Sequence, residues 1–136
     1  MSGQYSEKAV LWAEKLYRSA YLITGDAACA EKLVLNTLLQ GKSLWMAAEN
    51  EHVFQISLYK LLIRGCFLTS IKYNGEQPSM CSKLKKLGKL KRTAVVLSCF
   101  TGFDETDVSQ ILGIPAFLHM ALLRKSIHRL TRLYDS

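Results

Sequence analysis

Basic side chains concentrate in the second half of this 136-residue chain. Residues 75–136 carry a net charge of +5, residues 1–74 carry +2, and the whole chain carries +7. Four cations near the C terminus recur at helical spacing: Arg124, Lys125, Arg129 and Arg132. Such cations bind phosphate groups, which predicts a polyanionic partner, either nucleic acid or an anionic membrane surface. A solvated face that only keeps the protein soluble is the alternative.

The sequence carries no pattern typical of catalysis. We find no glycine-rich phosphate loop, no cluster of metal ligands and no nucleophile motif, so we expect no catalytic residues, no metal and no cofactor. The four cysteines, Cys29, Cys66, Cys81 and Cys99, are widely spaced and never form a C-x-x-C pair. With no signal peptide recognised, this cysteine usage predicts a reduced, cytoplasmic protein. The missing catalytic motifs predict that it is not an enzyme.

The most apolar stretch runs from Val53 to Ile71, but it contains Gln55, Lys60 and Arg64. Charged groups within a bilayer are costly, so we interpret the stretch as a core helix and expect no membrane insertion. The polar residue Ser57 and the charged residues Lys60 and Arg64 follow one another at steps of three and four. They predict one narrow solvated stripe on an otherwise packed helix.

Apolar periodicity and turn residues predict an all-α fold. Helices are expected over 6–24, from Asp26 to Gly41, over 51–73 and over 83–100, whereas 42–50 has no clear assignment. The seam of the 83–100 helix is predicted to include Leu90, with Arg92 among the cations around it. The turn-rich stretch 74–79 predicts a boundary. Two small helical domains, 1–74 and 83–136, then flank a linker over 75–82.

A helix-turn-helix is predicted within the second domain. Asp104 and Asp107 have the spacing of a capping box, Gly113 ends a short helix, and Pro115 starts the next one. This order of a short helix, a glycine turn and a longer helix is that of a helix-turn-helix. The last helix is expected to pack through one apolar stripe: Ala116, Met120, Leu123, Ile127 and Leu130.

Two motifs resemble the extracytoplasmic-function sigma factors. The run Val108-Ser109-Gln110-Ile111-Leu112-Gly113-Ile114-Pro115 is similar to I-A-x-I-L-G-I-P of sigma region four, and residues 100–130 follow the wider pattern. Residues 16–26 and 30–34 are similar to the opening L-Y-R-x-A-Y-x-x-T-G-D of region two and the A-E-D-L-V that follows it. Either motif alone is weak evidence for the family. The two motifs together occur in the family's order and cover most of the chain.

The resemblance implies a protein that binds core RNA polymerase through region two and promoter DNA through both regions. Carried over by position, the polymerase contacts are Glu31, Leu33, Val34, Asn36 and Leu39. The DNA contacts are Lys60, Arg64, Lys72, Tyr73, Arg124, Lys125, Arg129 and Arg132. The family's acidic residue after Glu31 is replaced by Lys32, which alters the expected polymerase face. An anti-sigma or co-sigma protein is a further implied partner.

The predicted recognition helix departs most from the family. Phe117, Leu118 and Leu122 stand where the family tends to have Gly, Thr and Arg. They lie off the apolar stripe, so they predict an exposed patch suited to protein docking. Two functions therefore remain open. The first is a sigma factor that binds polymerase and promoter DNA. The second is a diverged sigma-like regulator that docks a co-sigma or regulatory subunit and reads little DNA sequence. The arrangement of motifs favours the first.

Overall fold

The computed structural model describes residues 5–68 and 88–135, with side chains up to Arg132. All its regular elements are helices, as the sequence predicts. They are α1 (Tyr5–Thr24), α2 (Ala27–Ala47), α3 (Glu51–Leu68), α4 (Lys89–Phe100), α5 (Glu105–Leu112) and α6 (Ala116–Asp135). The predicted linker 75–82 and the predicted helical residues 69–73 and 83–87 lie outside the described part of the chain, so the domain boundary stays a prediction.

The first three helices pack around one aromatic side chain. Phe54 of α3 is fully buried, and the rings of Tyr5, Trp12 and Trp45 stand against it with centroid distances of 6.0, 6.2 and 5.0 Å. Such tilted or edge-on ring pairs are favourable beyond the area that they bury. This cluster packs α1 and α2 against each other and against α3.

Helix α2 is longer than predicted, because Gly41 does not end it. A Cβ atom built at Gly41 would lie 2.5 Å from Tyr5 Oη and 2.8 Å from Leu58 Cδ1. The glycine therefore serves close packing between α2 and its neighbours, and the helix continues to Ala47. The sequence pattern could not distinguish a glycine that ends a helix from one that admits a neighbouring side chain.

Helix α4 is buried along its middle. Six consecutive residues, Arg92 to Leu97, are buried, and the helix contacts α1, α5 and α6. The predicted seam was wrong at Leu90, which is exposed, and Arg92 is only 7% exposed. The reason is the position of α1, which packs against the side of α4 that carries Arg92.

Two cations of α4 donate to backbone carbonyls of first-half helices. The Arg92 Nε donates to the carbonyl of Ile23 in the last turn of α1 at 2.7 Å, and Lys89 Nζ donates to the carbonyl of Cys66 in α3 at 3.1 Å. The Ile23 carbonyl has no partner within its own helix and carries partial negative charge. These contacts therefore tie the two halves together.

Other contacts between the halves extend the same interface. The rings of Tyr59 and Phe103 meet edge to face at 4.9 Å, and His52 Nε2 lies 2.9 Å from Asp107 Oδ1. Buried residues of α4 and α5 belong to the same apolar cluster as those of α1, α2 and α3. The described helices thus share one core.

The buried guanidinium gives a test of this interface. Arg92→Met keeps the apolar stem but removes the donor to Ile23, so we expect the free energy of unfolding to fall by about 2 kcal/mol. Urea denaturation measures the change, and Lys91→Met, at the neighbouring and less buried position, is the matched control. Equal effects of the two substitutions would contradict a specific role for Arg92.

Candidate partner-binding surfaces

Helices α5 and α6 form the predicted helix-turn-helix geometry. Asp104 Oδ1 accepts from the Asp107 N–H at 2.8 Å, and Asp107 Oδ2 accepts from the Asp104 N–H at 3.4 Å, which completes the capping box. Gly113 ends α5 with φ of 71°, a left-handed conformation that glycine adopts without steric cost. The axes of α5 and α6 are bent by 100°, within the range typical of this motif.

Helix α6 packs through part of the predicted stripe and two polar residues. His119 and Ser126 are buried, with Leu123 and Leu130 of the stripe beside the core, whereas Ala116 and Ile127 are exposed. The His119 Nε2 lies 3.4 Å from Ser98 Oγ of α4, and Ser126 Oγ donates to the carbonyl of Leu122 in its own helix at 2.7 Å. A stripe built from apolar residues alone misses buried polar side chains whose hydrogen bonds are made inside the protein.

The outer side of α6 carries the predicted phosphate contacts. All four cations, Arg124, Lys125, Arg129 and Arg132, are exposed, and His128 lies among them. From Ala116 to Arg132 the helix has no acidic residue. The exposed face therefore has one sign of charge, which suits a polyanion such as the phosphate backbone of nucleic acid.

The first turn of α6 presents apolar side chains to solvent. Phe117 is 77% exposed, Leu118 is also exposed, and Leu122 is half-buried. The N-terminal residues of a recognition helix are those that reach base edges. Phe117 and Leu118 have no hydrogen-bonding groups for that purpose, so the geometry offers phosphate contacts without polar base contacts at these positions.

The predicted DNA contacts of the first half are only partly within the described residues. Lys60 and Arg64 are exposed on α3 and form the expected solvated stripe with half-buried Ser57, while the remaining sides of the helix pack against α1, α2 and α5. Lys72 and Tyr73 lie outside the described part of the chain. Lys60 and Arg64 lie on α3 rather than on α6, so the chain carries two separate cationic surfaces.

The predicted polymerase contacts all lie on α2, but their side chains differ in solvent exposure. Glu31, Asn36 and Leu39 are exposed and Leu33 is half-buried, whereas Val34 is buried in the core. Val34 therefore supports this face from beneath. The outer side of α2 is open to a partner at the other four positions.

An apolar groove lies between α2 and α3, and the sequence did not predict it. Two adjoining cavities of about 590 and 170 Å³ share Gln40 and Leu61 in their linings. We call this feature the α2–α3 groove, and its apolar lining consists of Leu33, Leu39, Leu44, Met46, Leu61 and Leu68. Leucines scattered along the sequence do not reveal a groove, because only the packing of the two helices brings their side chains together.

Within 5–68 and 88–135 no three His, Cys, Asp or Glu side chains form a metal-binding group. Cys29 and Cys66 are buried thiols. Burial, with a smaller contribution from the nearby Cys29, raises the pKa of Cys66 to about 12, so its thiol is protonated near neutral pH and is a poor nucleophile.

Across the described helices, none by itself has the length and apolar character needed to cross a bilayer. Among the described helices, only α5 and α6 taken together have that length and apolar character, and a sharp bend separates the two.

Buried His119 predicts a pH dependence of stability. Burial lowers its pKa from the ordinary 6.5, although the charge of Glu105 opposes that shift. Below about pH 6.5 the unfolded chain therefore binds more protons at this site, and stability falls as the pH decreases towards the lower folded-state pKa. We expect His119→Gln to reduce the slope of unfolding free energy against pH in this range.

Urea denaturation at several pH values measures the slope. His128→Gln, which changes an exposed histidine of the same helix, should leave the slope close to that of the unsubstituted protein. If His119→Gln and the unsubstituted protein had the same slope, His119 would not be the titrating group.

Comparison of the sequence with protein-family models and with curated protein sequences finds no match. The fold does match solved structures. The sigma factor RpoE in complex with the anti-sigma factor NepR, from Bartonella quintana, is 18% identical, with a TM-score of 0.80 and 96% of each chain covered. CnrH in complex with the cytosolic domain of CnrY is 16% identical, with a TM-score of 0.76 and coverage of 96% of this chain and 87% of that one.

A third similar structure is the anti-anti-sigma factor PhyR complexed with the anti-sigma factor NepR, also from Bartonella quintana. It is 19% identical, with a TM-score of 0.72, and the match covers 96% of this chain but 50% of the PhyR chain. Taken together, the three likenesses show that this chain has an all-helical fold like that of the sigma factor RpoE.

Proposed function

We propose that this protein is a sigma-factor-like regulator of transcription that binds core RNA polymerase and promoter DNA. The observation that carries the proposal is the α5–α6 helix-turn-helix, whose last helix exposes four cations and has no acidic residue from Ala116 to Arg132. Its position within a fold similar to the sigma factor RpoE over 96% of both chains supports the same function. Such a function belongs in the cytoplasm and requires no catalysis by this chain.

The polymerase contact is assigned to the outer side of α2. Glu31, Asn36 and Leu39 are exposed along one helix, and the family resemblance associates these positions with polymerase. Lys32 and Leu35 replace polar or acidic residues of the family pattern, so the contact relies on fewer acidic groups. An anti-sigma protein is a further proposed partner, because two similar structures are complexes with the anti-sigma factor NepR.

A charge reversal tests polymerase binding. Glu31→Lys should weaken co-purification with bacterial core RNA polymerase by about tenfold, because it places a cation beside Lys32 on the proposed contact face. Glu7→Lys, an exposed glutamate of α1, is the control and should bind normally. In vitro transcription with the reconstituted complex then tests promoter use. A protein that never associates with polymerase would contradict the proposed function.

The exposed apolar start of α6 favours a second candidate function. Phe117 and Leu118 form a surface better suited to a protein than to base edges. In this alternative the protein is a diverged sigma-like regulator that docks a co-sigma or regulatory subunit. Its cations then contribute electrostatic attraction with little sequence information.

Salt dependence of DNA binding separates the two candidates. If α6 binds DNA, replacing both Arg124 and Arg129 by Ala should lower the affinity and reduce the slope of log K against log salt by about two. The control is Lys15→Ala on α1. If α6 instead docks a protein, DNA binding should be weak and nearly unchanged by the double substitution.

In that second case Phe117→Asp and Leu118→Asp should remove the protein complex without unfolding the chain, because both side chains are exposed. Circular dichroism and urea denaturation check the fold. Unchanged interactions in both variants would contradict the protein-docking interpretation.

A further inference from the structure

A pocket opens between the C-terminal half of α1 and the end of α4. Its volume is about 260 Å³, and its described lining consists of Tyr17, Arg18, Ser19, Tyr21, Leu22 and Phe100. We call this feature the α1–α4 pocket. It shares no lining residue with the α2–α3 groove, and none of its lining residues is among those assigned to polymerase or to DNA. It is therefore a separate site.

Aromatic rings form the walls of this pocket. The rings of Tyr17 and Tyr21 lie one helical turn apart on α1, with a centroid distance of 6.1 Å and an angle of 4° between their planes. Phe100, the last residue of α4, is 48% exposed and adds a third ring from the other half of the chain. Such walls favour a planar aromatic ligand, because aromatic rings pair in offset-stacked or edge-on arrangements.

The volume of the pocket limits the size of its ligand. A protein cavity of about 150 Å³ accepts one benzene ring. The volume of about 260 Å³ therefore has room for two fused rings, or for one ring with a short substituent. Pockets for larger ligands begin at about 300 Å³, so the expected ligand is a small molecule of one or two rings.

The charge at the pocket is positive. Arg18 is the one charged residue of the described lining, its side chain is 73% exposed, and its Nη2 donates to Glu14 Oε1 at 2.6 Å. That bond uses one of the five N–H donors of a guanidinium, and an exposed ion pair contributes little free energy. A ligand carboxylate can therefore bind Arg18 beside Glu14 or in its place, through the two parallel hydrogen bonds that guanidinium and carboxylate groups form.

Other occupants satisfy only part of this lining. A quaternary ammonium group suits aromatic rings, but Arg18 would repel it. The segment 69–87 has four lysines and one glutamate, so it has the same sign of charge as Arg18. A partner protein could insert one side chain into a pocket of this volume, but no protein side chain carries both an aromatic ring and a carboxylate. The combination of three rings and one cation selects an aromatic acid.

We infer that the α1–α4 pocket binds a small aromatic carboxylic acid, with its ring against Phe100 and the two tyrosines and its carboxylate on Arg18. Helices α1 and α4 belong to different halves of the chain, so the ligand contacts both halves at once. The inference does not depend on the proposed function.

Three naphthalene derivatives test the inference on the full-length protein. They are 2-naphthoate, which carries a carboxylate, 2-naphthamide, which is neutral, and trimethyl(2-naphthyl)ammonium, which is cationic. Isothermal titration calorimetry measures the three dissociation constants. We expect 2-naphthoate to bind at least about tenfold more tightly than either of the other two, because hydrogen bonds to charged groups are stronger than those between neutral groups.

Substitutions locate the binding site. Arg18→Gln should remove the preference for 2-naphthoate over 2-naphthamide, and Phe100→Ala should weaken binding of both by about fivefold or more, because it removes one ring of the wall. The matched controls are Lys15→Gln, an exposed cation of α1, and Phe117→Ala, an exposed ring of α6, neither of which lines the pocket. Each control should change the dissociation constants by less than about twofold. Circular dichroism confirms that all variants fold.

Three results would overturn the inference. The first is the absence of binding by 2-naphthoate, whether the pocket is empty or filled by segment 69–87. The second is an affinity for 2-naphthamide or for the ammonium compound that equals or exceeds that for 2-naphthoate. The third is an equal loss of affinity in Phe100→Ala and Phe117→Ala, which would indicate binding of the acid to the basic helix α6. The assay contains neither polymerase nor DNA, so its failure is distinguishable from a failure of the proposed function.

Discussion

The contact of α4 with α1 and α3 holds the described structure together. A backbone carbonyl in the last turn of a helix needs a donor from elsewhere, and Arg92 supplies one to Ile23 of α1, while Lys89 donates to the carbonyl of Cys66 in α3. A buried guanidinium is costly unless it is hydrogen-bonded, so Arg92 favours one placement of α4 against α1. The shared apolar cluster then covers the remaining surface between the halves.

This arrangement determines which surfaces remain available to partners. Helix α3 packs against α1, α2 and α5, so its cations are confined to the one stripe that faces solvent. Helix α6 packs on α4 and α5 through His119, Leu123 and Ser126, which leaves its cations outward. The α2–α3 groove adjoins the α3 stripe, because Arg64 belongs to its lining, and it shares no lining residue with α6. The described fold thus presents a basic helix on one side and a basic stripe beside an apolar groove on another.

Charge and shape suggest different partners for these surfaces. Between Ala116 and Arg132 the outer face of α6 lacks carboxylates and is suited to phosphates, but its first turn presents Phe117, which has no hydrogen-bonding group for a base edge. A DNA contact through this face would have little sequence discrimination, since phosphate contacts carry no sequence information directly. The groove combines apolar area with cations. Protein contacts would therefore account for apolar surfaces that phosphate binding alone leaves unexplained.

The sequence by itself determined the helical fold, the ends of most helices and the helix-turn-helix, because these depend on local features. The Asp104–Asp107 capping box and the left-handed Gly113 are examples. Tertiary structure alone decided the role of Gly41, the burial of Arg92 and His119, and the existence of the α2–α3 groove. Each of these depends on which side of a helix meets a distant helix. Periodicity identifies an apolar side but does not identify its neighbour, nor the polar groups that the neighbour satisfies.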